Sequence, residues 1–182
     1  VMHDADVDGV RPPGRRGRAI QAGGRATLKG GRGEGVVNGP ASHPVWRDDT
    51  TAVRATQRVR NLARKTGRRV HSLHVTTPAE LELSARNRDI ASCELTPQHL
   101  TLAAEEAYPR LVTFVQMNPP IRSAAHRDGL LPWVGQGLPD VIGSDHASHS
   151  REVKVNPHPA SPSRIPGVQT LLPLIPNQLA HH

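Results

Sequence analysis

Two short stretches hold most of the side chains that could do chemistry. In His71-Ser72-Leu73-His74-Val75, two imidazoles stand three residues apart. On a helix they would share a face. On a strand they point to opposite faces, so they are not a chelating pair and at most one of them faces a site. His74, nearer the end of the run, is the better candidate, and a hydrogen-bonded structural histidine satisfies the same spacing. The second stretch, Gly143-Ser144-Asp145-His146-Ala147-Ser148-His149, directly follows an apolar run. At a strand end, Asp145 can bind a metal ion or take a proton from bound water; the plainer alternative is an aspartate capping the next helix among solvated histidines. Asn118, ahead of two prolines, is a rigidly held amide suited to hydrogen-bonding a substrate, and Asn-Pro is also an ordinary turn. Cys93 reads as a small buried residue. Glu94 faces the other way, either backing a ligand or making a salt bridge at a sheet edge.

The elements that must position these groups follow from pattern. Asp48 or Asp49 caps a helix to about Thr66, with Ala52, Ala55, Val59, Leu62 and Ala63 at helical spacing and Gly67 closing it. Arg54, Arg58, Lys65 and Arg68 line its other face. Val70 to Val75 reads as a strand, and Thr77-Pro78-Ala79-Glu80 is a capping box opening a helix to about Asn87. Ile90 to Leu95 and Val141 to Ser144 are two further strands. A helical stretch begins near Ser123 and is interrupted at Pro132. The last ten residues show no element. Strands alternating with helices indicate an α/β fold with a parallel sheet, whose chemistry belongs at the strand C-terminal ends.

Composition narrows the classes. The 182 residues carry 23 Lys+Arg against 16 Asp+Glu, a net charge of +7, and only 2% are aromatic. A net +3 of that charge falls in residues 1–40 (seven Lys+Arg against four Asp+Glu), which also hold ten of the 16 glycines and show poor hydrophobic periodicity. One cysteine excludes an intrachain disulfide framework. No apolar run approaches membrane-spanning length and no signal-peptide core is visible, so the expectation is a cytoplasmic protein. Few aromatics leave little platform for base stacking, which weighs against nucleic-acid binding by the basic helix.

Arg68-Arg69-Val70-His71-Ser72-Leu73-His74-Val75-Thr76-Thr77, Glu94-Leu95-Thr96-Pro97-Gln98-His99-Leu100, Met117-Asn118-Pro119-Pro120-Ile121-Arg122 and the Gly143–His149 stretch together resemble the dihydroorotases of the amidohydrolase superfamily, multifunctional-complex type. Asn before Pro-Pro separates them from hydantoinases and allantoinases. The resemblance implies a partial (β/α)₈ TIM barrel, about strands 5–8, in residues 42–175, with a poorly matching segment at 1–41 and a divergent tail at 176–182. It implies zinc-dependent, reversible hydrolysis of dihydroorotate to N-carbamoyl-aspartate in pyrimidine biosynthesis. It makes His74 a zinc ligand, Asp145 both ligand and general acid/base, and Asn118 and His149 substrate contacts.

The chain also departs from that pattern. The His-x-His of the family's first strand is absent, and no two of its 11 histidines are two residues apart. Gln21 falls where a histidine ligand belongs, and a neutral amide is a poor zinc ligand. Ser163-Arg164 stands where a small residue and Gly are usual. A (β/α)₈ barrel takes ~250 residues, so the expectation is the C-terminal half of the enzyme, with impaired activity alone and open sheet edges that favour self-association. The alternative readings are a non-catalytic scaffold partnering aspartate transcarbamoylase and a basic nucleic-acid-binding protein.

Overall fold

A computed structural model describes the backbone of residues 2–3, 18–21 and 39–180 and the side chains of 39–175. Five parallel strands, β1 (Met2–His3), β2 (Arg18–Gln21), β3 (Val70–Leu73), β4 (Ala91–Leu95) and β5 (Val141–Ile142), lie side by side in chain order. That is the single winding of a barrel wall; a doubly wound sheet reverses its order at a switch point. α1 (His43–Trp46) and α2 (Asp49–Thr66) connect β2 to β3, and α3 (Pro78–Ala85) connects β3 to β4. α4 (Pro97–Thr101), α5 (Ala104–Leu111) and α6 (Ala124–Gly135) connect β4 to β5, while α7 (Arg151–Lys154) and α8 (Leu171–Ala180) follow it.

Local chemistry sets the ends of the well-read elements. The Asp48 carboxylate accepts from the Thr51 amide, and Gly67 closes α2 at φ +63°, a conformation that costs glycine little. Thr77 Oγ1 accepts from the Glu80 amide, and Pro78 occupies the first turn of α3. The core is aliphatic, as four aromatic residues require. Leu81, Cys93, Leu95, Leu100 and Leu130 join α3, β4, α4 and α6, while Val59, Ala63, Val70 and Ala91 seat α2 on the sheet.

Three expectations change. The strands are shorter than the apolar runs: β3 stops at Leu73 and β5 at Ile142. α6 runs through Pro132 rather than breaking there. The lost backbone bond and ring clash cost about 3 kcal/mol, and burial of Leu130 (0% exposed) and Leu131 (6%) offsets it at about 1.5–3 kcal/mol each. The C-terminal residues form α8 instead of a structureless tail, and its Ile175 packs against the main core. α2 also buries Arg60, whose guanidinium donates to Thr56 O and to the hydroxyls of Ser72 and Ser84. Arg64 pairs with Asp89 at 3.0 Å. Among the described residues no helix is long and apolar enough to cross a membrane.

Candidate active site

His74 follows the C-terminal end of β3, Asp145 follows that of β5, and Glu94 lies on β4 between them. Parallel order therefore brings three residues distant in sequence to one rim. Beyond Leu73 the backbone leaves the pleat, with His74 at φ +51°. The strict alternation that placed His71 and His74 on opposite faces ends there, and both rings approach the same carboxylate. His74 Nδ1 is 2.8 Å from Glu94 Oε1, and His71 Nε2 is 3.9 Å from Oε2. The second nitrogen of His74, Nε2, is 3.3 Å from Asp145 Oδ1. Asp145 Oδ2 is buried without a hydrogen-bond partner.

Gly143 makes this packing possible, because a Cβ there would collide with the Glu94 carboxylate. Backbone bonds fix both rims: Gly143 N donates to Leu95 O and Val75 N to Glu94 O, each at 2.9 Å. Asp145 lies at φ +42° and Arg164 at φ +92°. His74, Asp145 and Arg164 thus gather three of the four described non-glycine residues with positive φ; Val112 is the fourth. Strain of this kind persists where surrounding structure enforces it, and it concentrates at functional sites.

Burial disfavours a charged His74 ring, but the Asp145 and Glu94 carboxylates beside it outweigh burial and raise the imidazole from 6.5 to about 9. In the absence of a metal ion, the ring is a cation held by two carboxylates.

The same arrangement suits a metal ion for which it supplies two donors. Two ligands of a tetrahedral zinc, each about 2.0–2.1 Å from the ion, stand roughly 3.3–3.4 Å apart, and His74 Nε2 and Asp145 Oδ1 are 3.3 Å apart. A carboxylate on the other ring nitrogen is the usual support for a metal-binding histidine, and Glu94 provides it. Asp145 Oδ2 remains as an unpaired acceptor. Among the described residues no group of three or more His, Cys, Asp or Glu converges on a metal position. The backbone of Gln21 pairs with that of Leu73 at the end of β2, beside this rim; its side chain lies outside the described residues.

The remaining sequence candidates surround the pair without all touching it. His149 Nε2 is 3.1 Å from Ser163 O, and Arg164 Nε approaches Asp145 Oδ1 at 3.9 Å. These contacts join Ser163, Arg164 and His149 to the Asp145 loop. Asn118 sits ahead of α6 in the connection between β4 and β5, its Oδ1 accepting from Arg47 Nη1 at 2.7 Å. Arg47 in turn accepts at its carbonyl from buried Arg122. His99, fully buried and pushed down to about 3 by that burial, hydrogen-bonds the Pro119 carbonyl through Nε2. Sequence reasoning missed Arg47 and His99 as supports of Asn118, because nothing local links positions 47, 99 and 118. A cavity of about 460 Å³ opens elsewhere, between α1, α5 and the start of α6, against Tyr108, Arg122 and His126.

No family model matches the chain. Its structure resembles a D-hydantoinase, with a TM-score of 0.76 at 20% identity over 86% of this chain and 37% of that one. It also resembles the L-hydantoinase (dihydropyrimidinase) of Arthrobacter aurescens, with a TM-score of 0.74 at 24% identity over 86% and 37%. The chain therefore shares its fold with these hydantoinases, seen here as a partial parallel sheet. In sequence the likeness is to dihydroorotases. The Halobacterium salinarum protein of that name is 35% identical over 130 residues, covering 71% of this chain and 30% of the relative. That of Geobacillus thermodenitrificans is 36% identical over 117 residues, covering 63% and 27%. The chain is thus a homologue of the dihydroorotases over about two thirds of its length, and it spans less than a third of theirs.

Proposed function

We propose that the chain forms part of a zinc-dependent dihydroorotase, which opens dihydroorotate to N-carbamoyl-aspartate and closes it again in pyrimidine biosynthesis. The observation that carries this reading is the His74 imidazole clamped between Glu94 and Asp145 at neighbouring strand ends. His74 and Asp145 would hold the ion, with Glu94 fixing the ring so that Nε2 is presented on the Asp145 side. Bound zinc acidifies its water and polarises the amide carbonyl.

The proton traffic belongs to Asp145. Its unpartnered Oδ2 can accept a proton from the attacking water and return it to the ring nitrogen as the C–N bond breaks. Asn118, oriented by Arg47, and His149, oriented by Ser163 O, are the proposed substrate contacts. A catalytic zinc takes three protein ligands, so His74 and Asp145 form a partial set.

Zinc uptake by equilibrium dialysis, paired with a dihydroorotate hydrolysis assay, tests the reading. Uptake is expected in the parent chain and lost in Asp145→Asn and His74→Ala, with any ring-opening rate falling at least ~10²-fold in Asp145→Asn. Uptake retained in both variants overturns it.

A further inference from the structure

We infer that Arg164 is a built-in cation that occupies the Asp145 carboxylate in place of a metal ion, so that metal binding requires its guanidinium to withdraw. The inference rests on the reading of His74 and Asp145 as ligands. Arg164 Nε lies 3.9 Å from Asp145 Oδ1, the same oxygen that faces His74 Nε2 at 3.3 Å. A guanidinium has five N–H donors and no lone pair to offer a metal. It can therefore offset the carboxylate's charge, as the His74 ring beside it does, but cannot ligate a metal ion. A metal ion brought to the same oxygen meets that positive charge, and in a part-buried setting the repulsion is only weakly screened.

The surrounding structure holds the guanidinium there at the expense of backbone strain. Arg164 sits at φ +92°, a region that glycine enters readily and that strains a residue bearing a side chain. Its amide donates to Gln116 O at 2.8 Å, and its carbonyl accepts from Lys154 Nζ at 3.1 Å. Lys154 is 2% exposed and donates also to Pro162 O at 2.9 Å and Gln116 O at 3.4 Å, so one buried ammonium ties both sides of the strained turn. Ser163 is fixed in turn through its carbonyl by His149. The Arg164 side chain itself is 37% exposed, so it borders solvent.

The test is a calorimetric zinc titration of the full chain, of Arg164→Gly and of Arg164→Gln, with Asp145→Asn as the site control. Glycine removes both charge and strain; glutamine removes the charge and keeps the strain. Both are expected to bind zinc at least tenfold more tightly than the parent, with the gain abolished when Asp145→Asn is added. Equal affinity in all three proteins overturns the inference alone, as does a gain confined to Arg164→Gly, which would place the effect in the backbone. No zinc binding in any of them overturns it together with the metal reading.

Discussion

At His74 one ring serves two carboxylates, and the metal-free protein should show it. Its raised pKa of about 9 means that the folded state holds the proton more tightly than the unfolded chain, whose value is 6.5. The ring therefore contributes stability that is complete below pH 6.5 and is lost as pH rises through about 9. In Glu94→Gln, the His74 titration followed by ring-proton NMR is expected to move down toward 6.5; an unmoved midpoint would remove Glu94 from the account. Gly143→Ala tests the same contact sterically, since the added methyl displaces the Glu94 carboxylate. Zinc affinity should fall about 10–100-fold, as when a ligand loses its supporting carboxylate, and unchanged calorimetric binding would contradict this. The candidates His74 and Asp145 were legible from residue type and their place after apolar runs. Their left-handed backbone was not, because nothing in a local pattern signals where a pleat is abandoned.

Helix ends were the most legible elements. α2 begins and ends, and α3 begins, where the caps stand, because the groups that satisfy the first amides lie within three residues of them, while α3 stops at Ala85, short of Asn87. Thr77→Ala removes one such cap and is expected to cost about 1 kcal/mol in chemical denaturation. α6 was read less well, since Pro132 is a local signal that distant packing overrode. That packing has a sharp test at Gly129, where a Cβ would come within 2.6 Å of Pro78 Cγ on α3. The proline ring cannot swing aside, so Gly129→Ala should destabilise the fold by about 1–3 kcal/mol; a neutral result would mean that α3 and α6 can slide apart. α8 was missed altogether, because its Pro173 and Pro176 read locally as breakers.

Over the whole molecule, two buried histidines make the fold acid-sensitive. Burial, the largest cause for each, lowers both His43 and His99 to about 3. Their unfolded forms take up protons from about pH 6.5 downward while the folded forms do not, so stability is present above 6.5 and drains away as pH falls through 3. Urea midpoints should decline across that window, and less steeply in His99→Gln; parallel curves would refute the assignment. Among the described residues the five-stranded sheet has β1 and β5 at its edges, with Val141 on β5 43% exposed. Parallel edges left unpaired recruit other strands, so sedimentation velocity should show concentration-dependent association. A strictly monomeric profile to high concentration would show that the edges are covered.

The sequence alone determined the class of fold, the cap-bounded helices, the dihydroorotase likeness and the two residues most worth testing. Each of these is written in local spacing, or in ordered motifs that survive without knowledge of contacts. Only tertiary structure decided that Glu94 backs His74, that Arg47 and His99 hold the Asn118 loop, and that Arg164 reaches the Asp145 carboxylate. Those pairings join residues 19 to 71 positions apart, and side chains so distant in the chain meet only where parallel strands end on a common rim.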